Sequence, residues 1–72
     1  MPTIQQIKWS VIEALKETSD HWEDMEKDMT GFTTIQQIVD LLVNSYHLGV
    51  EGDETEEVRE FITNAIADYP TN

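Results

Sequence analysis

The sequence predicts an all-α fold, a small bundle of three helices over residues 3–29, 34–48 and 53–69. Three observations support this prediction. Apolar residues recur at helical spacing in each segment, a capping signal stands at each start, and a glycine or proline follows each end. The 72 residues form a single domain, 1–72, and without cysteine no disulfide or thiolate zinc site can stabilise it.

The first segment carries an apolar stripe that stays in phase as far as Met29. Thr3 and Gln6 match the capping box, in which each side chain satisfies a backbone N–H of the other. We therefore predict one long helix over 3–29, ended by Gly31 in the left-handed conformation. The alternative is a kink or break near 18–20, where three weak helix formers occur and where Asp20 and Glu23 suggest a second capping box.

The second segment, TTIQQIVDLLVNSYHLG, is the most apolar part of the chain. Its apolar side chains cover an arc of about 220°, much wider than the stripe of a surface helix, so we expect it to form the core. Thr33 and Thr34 offer two alternative capping boxes. The third segment begins at Asp53, has an apolar stripe from Val58 to Tyr69, and is ended by Pro70.

Charge is the other dominant feature, since 15 acidic residues face four basic ones and the net charge is −11. Such a charge disfavours nucleic acid and anionic membranes as direct partners and favours basic surfaces. No apolar run of about 18 residues and no basic-then-apolar leader occurs. We expect a soluble, cytoplasmic protein.

The acidic excess lies in two places, with five acids and one base in 20–32 and seven acids and one base in 51–72. Like charges four residues apart cost roughly 0.2–0.5 kcal/mol per pair, and folding does not need them. Acids at that spacing advance about 6 Å along a helix, close to twice the 3.4 Å step of duplex phosphates. The expected partner-binding residues are the acids Asp20, Glu23, Asp24, Asp28, Asp53, Glu54, Glu56, Glu57 and Glu60, together with Trp9.

Trp9 points about 140° away from Ile4 on the predicted first helix, opposite the apolar stripe. An outward tryptophan is typical of interfaces. The long first helix would also overhang the shorter hairpin that follows. We therefore predict self-association through this helix, as a homodimer.

The sequence contains no catalytic, cofactor or metal signature. His21 has Glu17, Asp24 and Asp28 at helical neighbour spacing, but no second histidine lies three or four residues away, so no metal site is predicted. We expect a non-enzymatic protein that occupies a basic, nucleic-acid-binding surface of a partner, an inhibitor of the DNA-mimic type often carried by phages and mobile elements. One alternative is a structural or regulatory subunit docking through its Trp9, Trp22 and methionine face. In that case, as in halophilic adaptation, the acidity would serve only solubility.

Overall fold

The computed structural model describes residues 3–44 and 54–70, with the side chain of Glu54 outside the description. These residues form four helices and no strand: α1 (Ile4–Thr18), α2 (Trp22–Met29), α3 (Ile35–Asn44) and α4 (Glu54–Asp68). The all-α class is confirmed. The prediction of three helices is wrong by one, because the predicted first helix divides into α1 and α2.

The break lies at residues 19–21, which confirms the alternative of a break near 18–20 and overturns the continuous helix over 3–29. Ser19 is extended, with φ −147° and ψ 138°, and its hydroxyl accepts a hydrogen bond from the backbone N–H of His21 at 3.1 Å. A straight helix would place Lys8 and Met29 about 32 Å apart. Instead the Lys8 ammonium lies 3.3 Å from the Met29 carbonyl oxygen. The chain therefore reverses after Thr18, and α2 runs back along α1.

Side-chain caps fix where two of the described helices begin, α1 and α3. Thr3 and Gln6 form the predicted capping box of α1. Of the two alternatives for α3, Thr34 is used, since its hydroxyl accepts from the Gln37 N–H at 3.3 Å and the Gln37 side chain accepts from the Thr34 N–H at 3.0 Å. The suggested box at Asp20 is not formed. His21 occupies the N-cap of α2 without a side-chain hydrogen bond.

Gly31 does not adopt the left-handed conformation that the sequence suggested. The end of α2 tightens instead, with the Thr30 N–H bonded to the Lys27 carbonyl at 3.2 Å and the Phe32 N–H to the Met29 carbonyl at 3.0 Å. Such three-residue spacing satisfies some of the carbonyls left open at a helix end. A β-carbon added at Gly31 would meet nothing within 4 Å.

The centre of the bundle is α1, which packs against all three other helices. Its buried residues cover an arc of about 200°: Ile7, Lys8, Ser10, Val11, Ile12, Ala14 and Leu15. The prediction that the 34–48 segment forms the core holds only in part. Ile38, Val39 and Leu42 are buried, Leu41 and Val43 are half-buried, and Ile35 is exposed.

The fourth helix packs on α1 and α3. The Ser10 hydroxyl, buried within α1, donates to the Tyr69 carbonyl at 2.6 Å, and the Tyr69 hydroxyl donates to the Glu17 carboxylate. Val58, Ile62 and Ala65 add the α4 side of the core. The predicted ends near Gly49 and Asp53 lie outside the described residues.

Candidate interaction surfaces

The first acidic surface is the outward side of α2 with the turn before it. Glu23, Asp24 and Asp28 are exposed on the helix, and Asp20 is exposed in the turn; we call these four residues the α2 acidic surface. Because Asp20 precedes the helix, only Asp24 and Asp28 keep the four-residue helical spacing. Asp20, Asp24 and Asp28 repeat every four residues in the sequence, so an unbroken helix would have aligned all three, whereas the structure aligns only the last two.

The second acidic surface lies near the start of α4. Glu56 and Glu60 are exposed and Glu57 is half-buried; we call these three residues the α4 acidic surface. Asp53 lies outside the described residues, and for Glu54 only the backbone is described. Glu57 and Glu60 border a shallow groove of about 430 Å³ whose apolar lining includes Val58 and Phe61.

The two acidic surfaces belong to helices that do not pack extensively on each other. Both α2 and α4 contact α1, while no comparable contact joins α2 to α4 within the described residues. The structure does not bring the two sets of carboxylates together through a shared helix interface.

Three of the four basic residues are held by intramolecular contacts. Lys16 lies 3.4 Å from the Glu13 carboxylate and 4.9 Å from the centre of the Trp22 ring. Arg59 donates to the Gln36 side-chain oxygen at 2.6 Å, which joins α4 to α3. Lys8 is buried. These contacts serve the fold, but they do not remove positive charge from the acidic surfaces. Arg59 lies on α4 between Glu57 and Glu60, and Lys27, the fourth cation, is exposed on α2 beside Asp28.

Lys8 is the residue whose role the sequence did not reveal. Its side chain is 8% exposed, and its ammonium donates to the carbonyl oxygens of Met29, Thr30 and Phe32 at 3.3, 3.4 and 3.0 Å. These carbonyls belong to the end of α2, where the helix dipole favours a positive charge. The only sequence signal was its place beside the apolar stripe of α1, which the aliphatic stem extends.

Trp9 is 46% exposed, as the sequence predicted. It lines a groove of about 430 Å³ between α1 and α2, and we call this the α1/α2 groove; its other lining residues include Ile12 and Met29. The overhang that motivated the dimer prediction does not exist, because α2 folds back on α1. Exposure of Trp9 is the part of that argument that remains.

The methionine face proposed for docking is not available. Met25 and Met29 are each 1% exposed and belong to the core, and Trp22 is half-buried against it. In the described residues, no group of three or more histidines or acids is arranged to hold a metal ion. The helices there include none that is long and apolar enough to span a membrane.

Comparisons with known proteins found no relative of this chain. No family model matches the chain, and neither the curated proteins nor the solved structures gave a significant match. Functional inference therefore depends on the charges, exposures and contacts described above.

Proposed function

We propose that this protein is a non-enzymatic interaction protein whose α2 acidic surface occupies a basic, nucleic-acid-binding surface of a partner protein. One observation carries the proposal. All four carboxylates of the surface are exposed, and within the described residues Asp20, Glu23 and Asp24 have no hydrogen-bond or ion-pair partner. They are placed to meet cations from outside the chain.

Exposure favours α2 over α4. All four carboxylates of the α2 acidic surface are exposed, whereas Glu57 of the α4 acidic surface is half-buried. A group of exposed like charges raises the rate at which an oppositely charged surface associates.

The spacing of the carboxylates also suits a substitute for nucleic acid. Asp24 and Asp28 lie about 6 Å apart along the helix, near twice the spacing of phosphates along a strand. A partner site that fits a duplex backbone would therefore meet carboxylates at about the spacing of alternate phosphates.

A second candidate is a docking subunit whose acidity serves only solubility. Trp9 is the observation that favours it, since a tryptophan 46% exposed is a common interface anchor. Burial of Met25 and Met29 removes the rest of that face. The two candidates predict that different substitutions weaken partner binding: loss of the α2 carboxylates for the first and loss of Trp9 for the second.

The test is capture of a partner from a lysate of cells that express the protein. The bait is either the parent or the triple variant Asp20→Asn, Asp24→Asn, Asp28→Asn, which removes three charges and keeps similar side-chain shapes. We expect the parent to retain a basic protein that duplex DNA displaces, and the triple variant to retain much less of it.

Two results would contradict the proposal. One is a captured partner that duplex DNA fails to displace. The other is a partner that the triple variant retains as well as the parent at about 0.15 M salt, where charges more than about 8 Å apart are largely screened. Loss of that partner with Trp9→Ala instead would favour the docking subunit.

A further inference from the structure

The α1/α2 groove brings an exposed aromatic side chain and an acidic one to the same recess. Trp9 lines it from α1 and Glu26 from α2, while Ile12 and Met29 supply buried apolar lining. Glu26 was not among the residues that the sequence suggested for binding. It lies about 40° from Trp22 on the α2 helical wheel, at the edge between the buried and the outward sides.

Four charged residues line the groove, and their contacts decide what charge it presents. Lys8 is satisfied by the three carbonyl oxygens at the end of α2. Lys16 and Glu13 are paired at 3.4 Å. The Glu26 carboxylate has no ion-pair or side-chain hydrogen-bond partner within the described residues. The four formal charges sum to zero, and Glu26 is the charged side chain among them that is open to pair with a ligand.

We infer that the α1/α2 groove is a subsite for an arginine side chain of the basic partner, stacked on Trp9 and paired with Glu26. A cation over a tryptophan face is attracted by the ring, and tryptophan is the best aromatic for this contact. The guanidinium can stack on an aromatic face and bind a carboxylate through parallel N–H bonds. The aliphatic stem of arginine suits the apolar lining formed by Ile12 and Met29.

Arginine fits this recess better than lysine does. The ammonium of lysine is compact and strongly hydrated, so it gains less from a site that combines a flat ring with one carboxylate. Assignment of the arginine to the nucleic-acid-binding partner rests on the proposed function. The affinity of the groove for arginine itself can be measured without that partner.

The experiment is an NMR titration of the ¹⁵N-labelled protein with N-acetyl-arginine amide at constant ionic strength. The two tryptophan indole N–H signals, of Trp9 and Trp22, are assigned with Trp9→Phe. We expect the Trp9 signal to shift saturably and the Trp22 signal to shift much less. N-acetyl-citrulline amide, which has a similar shape without the charge, should produce little change at either.

Matched variants test whether Glu26 is the carboxylate that binds the arginine side chain. Glu26→Gln should weaken the apparent affinity about three- to fivefold, as expected from loss of an exposed ion pair. Glu23→Gln is the same change on the outward side of α2. It should change the logarithm of the apparent dissociation constant less than half as much as Glu26→Gln does. Trp9→Ala, which lacks the indole signal and is followed by the backbone N–H signals of Ile12 and Glu26, should weaken the affinity about two- to fivefold. Circular dichroism verifies that each variant is folded.

The inference is overturned if the Trp9 signal moves no more than that of Trp22, if citrulline acts like arginine, or if Glu26→Gln and Glu23→Gln have equal effects. These results are separable from the proposed function. Specific arginine binding together with unchanged partner capture by the α2 triple variant would support the subsite and contradict the proposed function. The reverse pattern would retain the function and remove the subsite.

Discussion

At the scale of single residues, the contacts of Lys8 hold the helical hairpin together. Its ammonium joins the middle of α1 to three carbonyl oxygens at the end of α2. A buried ammonium without an acidic partner is stable here because these carbonyls replace water as acceptors. In return, the end of α2 gains the cation that its dipole favours.

We predict that Lys8→Met lowers the free energy of unfolding by about 1.5–3 kcal/mol, the range for hydrogen bonds to charged groups. Methionine keeps the apolar stem and removes the donor. The matched control is Lys27→Met, which removes the same charge from an exposed residue in the last turn of α2. Urea unfolding should show a much smaller loss for the control, and equal losses would refute the capping role of Lys8.

At the scale of elements, periodicity alone predicted most of the helices. The stripe of Ile7, Val11 and Leu15 is buried as expected, and the Thr3 capping box is formed. The prediction was wrong about continuity because Met25 and Met29 share the phase of α1. A helix that folds back on its neighbour can bury the same residues as one that continues, so phase does not distinguish the two arrangements.

The candidate site was only partly predictable for the same reason. Exposure of the α2 acids and of Trp9 follows from their positions on a helical wheel. The meeting of Trp9 with Glu26 depends on the reversal at residues 19–21, which a straight helix does not contain. Lys8 likewise contacts residues more than 20 positions away, and local pattern carries no information about such partners.

Gly31 provides a prediction for the end of α2. Its backbone is outside the left-handed region and a β-carbon would have free space, so Gly31→Ala should raise the free energy of unfolding by about 0.4–1 kcal/mol through a less flexible unfolded chain. A left-handed C-cap, which the sequence suggested, would instead make alanine destabilising. The direction of the change in urea midpoint distinguishes these two geometries.

At the scale of the whole molecule, the net charge of −11 opposes folding through self-repulsion. Raising NaCl from about 0.05 to 0.5 M shortens the screening length from above 10 Å to below 8 Å. We expect the free energy of unfolding to rise over that range. The rise should be smaller in the Asp20, Asp24 and Asp28 to Asn variant, and thermal unfolding that is independent of salt would show that repulsion does not limit stability.

Because acidic residues lie on both α2 and α4, experiments can distinguish binding by total charge from binding by one acidic surface. If net charge alone attracted a partner, any three carboxylates would be equivalent. If one surface binds, the location of the removed carboxylates matters. The two surfaces can be tested separately, because they lie on α2 and α4, which contact α1 without packing extensively on each other in the described part of the chain. All four carboxylates of the α2 surface are exposed, and another side of the same helix, through Glu26 and Met29, lines the groove that contains Trp9.

The most direct test of this account is the affinity of the captured partner as a function of salt for three proteins. These are the parent, the Asp20, Asp24 and Asp28 to Asn variant, and the Glu56, Glu57 and Glu60 to Gln variant, which loses the same number of charges from α4. The account predicts that the α2 variant binds more weakly and with a shallower salt dependence than the α4 variant. Equal effects, or a larger effect from α4, would contradict it.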